Sequence, residues 1–171
     1  MCFVQMKLYM VNKEGVFMND IKPVIFRLNG EKYGIDINRV NGIEKEQHIV
    51  SVPNSPRNIK GIINLRGTIV PVYNLAKKFN APDVLPEKSQ LIIIKVGEMQ
   101  IAVEVEEVQE IFDIPASSIS EVPKIIQGGK TAYILEIAKV GNELLIILDV
   151  DSLLSEEEQQ DVADFVVEQT S

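Results

Sequence analysis

The stretch that decides the fold is Gly61-Ile62-Ile63-Asn64-Leu65-Arg66-Gly67-Thr68-Ile69-Val70-Pro71-Val72. Two apolar runs rich in β-branched residues flank Arg66-Gly67, and a glycine supplies the positive φ that a tight turn needs. The pattern therefore predicts a β-hairpin. Pro71 cannot donate a ladder hydrogen bond, so we expect it on an edge strand or at a bulge.

Arg66 occupies the predicted tip of this hairpin in a chain whose net charge is −8. Most arginines in turns are simply hydrated, and that interpretation stays open. The functional interpretation is a guanidinium fork aimed at a carboxylate of a partner, which arginine contacts bidentately and lysine cannot.

Outward from the hairpin, the chain has the composition of a β protein. Residues 24–28 are rich in β-branched and aromatic residues, and a turn at Asn29-Gly30 follows them. Apolar and polar residues alternate in part of 33–37. Ser55 before Pro56 is typical of a helix start, which predicts a short helix over 56–60. Residues 74–79 are expected to form one helical turn. Residues 80–88 contain two prolines and are expected to form a linker.

The apolar pattern occurs twice. Tyr33, Ile35, Ile37, Val40 and Ile43 recur 68 residues later, and residues 69–75 recur as 144–150 at an offset of 75. The later set is Ile101, Val103, Val105, Val108 and Ile111. Two copies are too few for a solenoid but suit a pair of packed or interlocked barrels.

Composition excludes several classes of protein. The chain has 171 residues, 46% hydrophobic and 25% charged, which is the mix of one globular domain. A surplus of acids argues against nucleic acid and against an anionic membrane surface, and no apolar run is long enough to span a bilayer. One cysteine and one histidine cannot form an internal disulfide or a Cys/His zinc site.

Side chains suited to catalysis are scarce. His48 has no recognisable nucleophile or acid beside it, Cys2 has no basic neighbours, and no phosphate-binding glycine motif occurs. Glu104 and Glu106 straddle Val105 and are expected to share one strand face. A solvated outer face explains them, and an acid pair or metal site is the alternative.

The two ends differ from the body. Residues 1–21 are expected to form a flexible extension. Polar residues interrupt their apolar stretch, and a secretory signal needs an unbroken one, so the extension is not such a signal. Ser155 followed by Glu158 has the spacing of a capping box, and residues 156–171 are expected to be helical. Val162, Phe165 and Val166 form its apolar stripe, which packs on the preceding barrel or binds a partner.

At residues 61–75 the sequence resembles the CheW family, the adaptors that couple chemoreceptors to the chemotaxis histidine kinase. The family motif is roughly G-V-x-N-L-R-G-x-x-x-P-V-x-D-L. Residues 30–37, the proline-rich segment 52–61 and the closing strand 144–154 resemble further family segments in the same order. The resemblance covers about residues 22–155.

The resemblance implies a mainly β fold of two intertwined five-stranded SH3-like barrels related by the repeat, with short helices. We expect the first barrel mainly within 22–88 and the second mainly within 89–155. It also implies a non-enzymatic, cytoplasmic adaptor without cofactors, monomeric when isolated. Its partners would be the CheW-like regulatory domain of the kinase and the cytoplasmic tip of methyl-accepting chemoreceptors, which would recruit it to membrane arrays. The residues carried over as binding positions are Val40, Ile43, Gly61, Asn64, Arg66, Gly67 and Ile111.

Two positions depart from the family. Many relatives have an acid where Gly42 stands, a potential partner of the hairpin arginine, whereas the second copy keeps Glu110. Glu44 is the nearest substitute. Asn74 replaces the usual aspartate, and either side chain can cap the following turn. The alternatives are the same scaffold in a non-motility sensory pathway and a small metal-dependent enzyme using Glu104 and Glu106.

Overall fold

A computed structural model describes residues 10–11, 17–18, 20–45, 47–83, 89–126 and 131–170. Cys2 and most of the predicted N-terminal extension lie outside these residues. Thirteen strands are assigned within the described part. They are β1 (Met10–Val11), β2 (Phe17–Met18), β3 (Pro23–Leu28), β4 (Glu31–Asp36), β5 (Val40–Lys45), β6 (Ile59–Leu65), β7 (Thr68–Tyr73), β8 (Gln90–Val96), β9 (Met99–Val105), β10 (Glu107–Ile111), β11 (Ile119–Ser120), β12 (Ile134–Val140) and β13 (Glu143–Leu148).

The helices are short except the last. They are α1 (Leu75–Lys78), α2 (Val150–Leu153) and α3 (Glu156–Thr170), with 3-10 turns at Ile37–Arg39, Ala116–Ser118 and Lys124–Ile126. None of the helices in the described part is both long and apolar enough to cross a membrane. The predicted mainly β class, with short helices and a C-terminal helix, is confirmed.

Two large sheets carry the fold. Sheet I has the strand order β10-β3-β4-β13-β12-β11, and sheet II has the order β5-β8-β9-β7-β6. Sheet II has the expected five strands, and sheet I has a sixth because the two-residue strand β11 adds to its edge. The two strands β1 and β2 pair only with each other.

Strand registers establish the internal repeat. The β3–β4 hairpin pairs Leu28 with Glu31, and 68 residues later the β8–β9 hairpin pairs Val96 with Met99. Each third strand carries a one-residue register shift, between Val40 and Gly42 in β5 and between Val108 and Glu110 in β10. These positions also differ by 68, so the two halves share their bulges as well as their pattern.

The halves exchange hairpins. Strand β5 of the first half pairs with β8 of the second, and β10 of the second half pairs with β3 of the first. Likewise β7 runs parallel to β9, and β13 runs parallel to β4. Sheet membership therefore does not divide at residues 88/89. Each sheet takes one hairpin from one half and its remaining strands from the other.

Sheet II is closed by backbone pairing beyond its strands. Val50 N donates to Ile62 O and Ile62 N donates to Val50 O, both at 2.9 Å, so the segment after β5 joins β6 at the opposite edge. Closing a sheet on itself satisfies its edges. This closure brings the end of β5 close to the β6–β7 hairpin.

One apolar cluster spans both sheets and α3. Fully buried residues such as Phe26, Ile35, Tyr73 and Ile92 belong to it, and α3 contributes Val162 and Phe165. The predicted stripe of α3 therefore packs on the β structure. Its start has the predicted capping box, because Glu158 N donates to Ser155 Oγ at 3.1 Å.

Two local predictions need correction. Residues 56–60 do not form a helix: Ile59 and Lys60 belong to β6, and the Ser55 hydroxyl donates to Ile59 O at 3.2 Å instead of capping. Pro71 is not on an edge strand, because β7 lies between β6 and β9. Strand β7 pairs with β9 only through Val72 and Tyr73, however, so Pro71 needs no hydrogen bond to β9.

The body of the domain begins before residue 22. Asp20 Oδ1 accepts a hydrogen bond from Ala116 N at 2.9 Å, and Ile21 forms a two-way backbone bridge with Ile114. These two residues are therefore bonded to the β structure and do not belong to a free extension.

Candidate functional site

The β6–β7 hairpin has the predicted two-residue turn. Arg66 has φ 53° and Gly67 has φ 87°, the two positive values that a type I′ turn requires. Asn64 Oδ1 accepts a hydrogen bond from Gly67 N at 2.9 Å, which fixes the turn from its own side chain. Asn64 and Gly67 thus shape the hairpin, and Arg66 is the side chain that it presents to solvent.

Arg66 is displayed beside one acid. Its Nη2 lies 3.5 Å from Glu44 Oε1, with 87% of the arginine side chain exposed and 23% of the glutamate. Glu44 therefore supplies the carboxylate that Gly42 cannot, as anticipated from the sequence. An ion pair this open to water is weak, because solvent screens it and both side chains lose rotamer freedom. The guanidinium keeps most of its donors available to a partner.

Gly61 has a structural reason to be glycine. A Cβ atom built there would lie 2.3 Å from Val50 O and 2.9 Å from Ile49 Cγ2. The glycine therefore allows the backbone approach that closes sheet II. This accounts for its place next to the hairpin without any contact to a partner.

The three apolar positions carried over from the family lie on two strands of different sheets. Val40 is half-buried against the main core, whereas Ile43, further along β5, is 37% exposed. Ile111 is 42% exposed but lies on β10 in sheet I, opposite Val24. The structure brings Asn64, Arg66 and Gly67 together at one tip. Ile111 occupies the equivalent of Ile43 in the other sheet.

Glu104 and Glu106 do not share a solvated face. Glu104 is 1% exposed in β9 and accepts two hydrogen bonds from Lys60 Nζ, at 2.8 and 3.1 Å. Glu106 lies beyond the end of β9, where its Oε1 accepts from Asn29 N at 2.8 Å. Each carboxylate has its own structural partner, and among the described residues no group of three or more potential ligands could hold a metal ion. The alternative of a metal-dependent enzyme needs the two carboxylates on one strand face, and that expected arrangement is wrong.

A polar cluster under α3 has no clear signal in the sequence. Glu158 accepts from the Tyr73 hydroxyl at 2.8 Å and from Lys78 Nζ at 2.6 Å. Burial opposes ionisation of Glu158, but the hydrogen bonds from Lys78 and Tyr73 outweigh it and hold its pKa below the ordinary value. Burial is the main cause that raises the pKa of Tyr73 above its ordinary value, and the hydrogen bond to Glu158 raises it further. The cluster ties the first turn of α3 to β7 and α1.

Comparison with known proteins shows that the chain is similar to one protein family over most of its length. The profile of the family described as "CheW-like domain" matches residues 22–158. The chain is 33% identical over 140 residues to the chemotaxis protein CheW of Bacillus subtilis, covering 81% of this chain and 90% of that protein. It is 34% identical over 136 residues to the chemotaxis protein CheW of Klebsiella aerogenes, covering 79% and 82%.

A solved structure is also similar. The crystal structure of the scaffolding protein TtCheW from Thermoanaerobacter tengcongensis superposes with a TM-score of 0.72 at 34% identity, covering 81% of this chain and 96% of that one. The similarity therefore extends from sequence to fold across the β structure.

Proposed function

The chain belongs to the CheW-like domain family, and from this membership we propose that it is a non-enzymatic chemotaxis adaptor that couples chemoreceptors to the chemotaxis histidine kinase. The proposed partners are the CheW-like regulatory domain of that kinase and the cytoplasmic tip of methyl-accepting receptors. In this proposal the protein is cytoplasmic, monomeric when isolated, and recruited to membrane arrays through its partners.

The observation that carries the proposal is the conformation of Arg66. A left-handed backbone at the first turn position favours asparagine, aspartate or glycine, and a long side chain there costs stability. The chain nevertheless has an arginine there, 87% exposed. A residue that goes against the local backbone preference without a compensating gain in stability is typical of a functional position. A bidentate contact with a partner carboxylate would provide that gain.

The proposed mechanism needs no chemistry in the chain. Transient protein interfaces of about 1,200–1,600 Å² give modest affinity. A scaffold that holds two partners at once raises the effective concentration of one for the other, and this increases the overall affinity without new contacts. Ile43 is exposed on the face of β5 opposite to Glu44, and it would add apolar area to a contact separate from that of Arg66.

The test is a titration of the full chain against the isolated regulatory domain of a chemotaxis kinase and, separately, against a receptor-tip fragment. Arg66→Glu is compared with Arg57→Glu, the same charge change at another exposed arginine. We expect micromolar binding by the natural chain, a loss of tenfold or more in affinity for at least one partner with Arg66→Glu, and little change with Arg57→Glu. Absence of binding to both partners at tens of micromolar would refute the proposed function. Equal losses in the two variants would remove Arg66 from it.

A further inference from the structure

A polar cavity of about 350 Å³ opens where the two halves of the repeat meet. It is lined by Asn38, Arg39, Asn41, Lys95, Gly97 and Asp151. The first three come from the 3-10 turn and the start of β5, and the others come from the β8–β9 turn region and α2. Asn41 lies at the register shift in β5, and bulges of this kind re-aim side chains.

The cavity is rich in hydrogen-bond donors. Within the described part of the chain, the side-chain amides of Asn38 and Asn41 have no partner. The Arg39 guanidinium uses one nitrogen, Nη2, on Asp151, and Lys95 Nζ lies 3.9 Å from the exposed Glu98. A guanidinium has five N–H donors and an ammonium three, so most of them remain available.

The equivalent place in the other half has the opposite charge. At the offset of 68, Asn38 and Arg39 correspond to Glu106 and Glu107, and Lys95 corresponds to Arg27. Since the two halves share register and bulges, the backbone does not require a cation at position 39. The pair Arg39 and Lys95 is therefore a property of one side of the molecule, and Arg27 offers a matched control position.

Charge and shape select the ligand. Arg39 and Lys95 against Asp151 give the lining a formal charge of +1. This balances one carboxylate, whereas a phosphate group carries about −1.5 to −2 at pH 7. Small-molecule sites bury about 70–90% of their ligand. Here Asn38 and Asn41 are exposed, and such an open mouth suits a side chain presented by a docked protein.

We propose that this cavity is a carboxylate-accepting site on a protein-interaction surface, in which Arg39, Lys95 and the amides of Asn38 and Asn41 receive a glutamate or aspartate of a partner protein. It lies at the start of β5, about 10 Å along the strand from Glu44 at the rise of ~3.3 Å per residue. Asn41 and Ile43 share the exposed face of β5, whereas Glu44, which contacts Arg66, lies on the other face. The site is distinct from the hairpin and does not depend on its role.

The test uses acetate as the probe and the full chain labelled with ¹⁵N. Sodium acetate, sodium phosphate and sodium chloride are titrated at matched ionic strength, and the side-chain amide signals of Asn38 and Asn41 and the Gly97 amide are followed. We expect saturable, millimolar acetate binding with a weaker response to phosphate. Lys95→Gln should weaken it about tenfold, because a charge-assisted hydrogen bond is lost, and Arg27→Gln should leave it unchanged.

Three outcomes would overturn the site. They are chloride shifts equal to those of acetate, acetate binding that Lys95→Gln and Arg27→Gln affect equally, and tighter binding of phosphate than of acetate. If the kinase domain or receptor fragment binds the natural chain, Lys95→Glu should weaken one of those complexes about tenfold more than Arg27→Glu does, and equal effects would refute a protein carboxylate as the occupant. The acetate titration remains decisive if neither partner binds.

Discussion

Replacing Arg66 with asparagine should make the protein more stable and a poorer binding partner. Arg66→Asn creates Asn-Gly, the sequence that a type I′ turn prefers, without altering Gly67 or the hydrogen bond from its N–H to Asn64. Stability and binding normally fall together when a mutation damages a fold. An opposite response at one residue would therefore separate the two roles.

The magnitude follows from two opposing effects. A left-handed backbone costs an ordinary side chain about 1–2 kcal/mol, and asparagine is relieved of much of this cost. The lost ion pair is worth less. With the guanidinium 3.5 Å from Glu44 and 87% exposed, Coulomb's law in water gives about 1 kcal/mol, and exposed pairs typically contribute about 0.2–1 kcal/mol. The net expectation is a gain of about 0.5–1 kcal/mol.

Thermal and chemical unfolding measure the gain, and titration against the kinase regulatory domain and the receptor fragment measures the loss. For a chain of this length 1 kcal/mol raises Tm by about 2–4 °C. A lost charge-assisted hydrogen bond of about 1.5–3 kcal/mol weakens binding at least tenfold. Arg66→Lys is the control, since it keeps the charge and the strained backbone but loses the fork. A fall in Tm with Arg66→Asn would refute the strain argument, and unchanged affinity for both partners would refute the binding role.

Three further perturbations test the fold around the site. Gly61→Ala should cost 3 kcal/mol or more, on the order of the largest single-residue effects, because its Cβ would meet Val50 O at 2.3 Å. Gly42→Ala, with its nearest neighbour at 4.0 Å, should change urea unfolding by less than about 0.5 kcal/mol, and similar costs for the two would contradict the closure of sheet II. Lys60→Met should destabilise by about 3 kcal/mol because it leaves buried Glu104 unpaired, and adding Glu104→Gln should recover much of the loss; no recovery in the double variant would contradict the pairing. Glu158 has a lowered pKa, so its contribution is complete above the unfolded value of 4.5 and is lost as the pH falls through the lower folded value. Unfolding at pH 7 and at pH 3 should therefore show a smaller acid loss in Glu158→Gln than in the natural chain, and equal losses would exclude this contribution.

Local chemistry made several features predictable from the sequence. The Arg66-Gly67 turn depends on residues adjacent in the chain, as do the capping box at Ser155 and the cap of α1, where Asn74 Oδ1 accepts from Lys77 N at 3.0 Å. Offsets of 68 and 75 identified equivalent strands because the apolar positions repeat with the strands. Such signals are complete within a few residues or within one repeat.

Features that depend on distant pairing could not be predicted in this way. Ser55-Pro56 has helix-start chemistry, but Ile59 pairs with Tyr73 in the β6–β7 ladder, and this tertiary pairing overrides the local preference. Glu104 follows an alternating pattern, yet five consecutive residues at the end of β9 are buried because both faces of that strand are covered. Ile101, Val103 and Val105 pack in the main apolar cluster, and Ala102 packs in a second one. The repeat says which strands are equivalent, but it cannot say that each half gives its hairpin to the other.

The exchange of hairpins gives the molecule one backbone frame used twice, and the side chains at the two barrel ends differ. At the offset of 75, Gly141-Asn142 stands where the first end has Arg66-Gly67, and at the offset of 68, Phe112 stands where Glu44 pairs with the arginine. Around Phe112 lie the apolar Ile25, Val140 and Leu144 together with the charged Lys32, Glu110 and Glu143. The second end therefore has an aromatic ring where the first has the carboxylate of Glu44, and it has no arginine at its hairpin turn. Two identical ends would compete for the same partner. Ends with equivalent strands and different side chains can select two partners, because discrimination depends on what each surface rejects as well as on what it accepts.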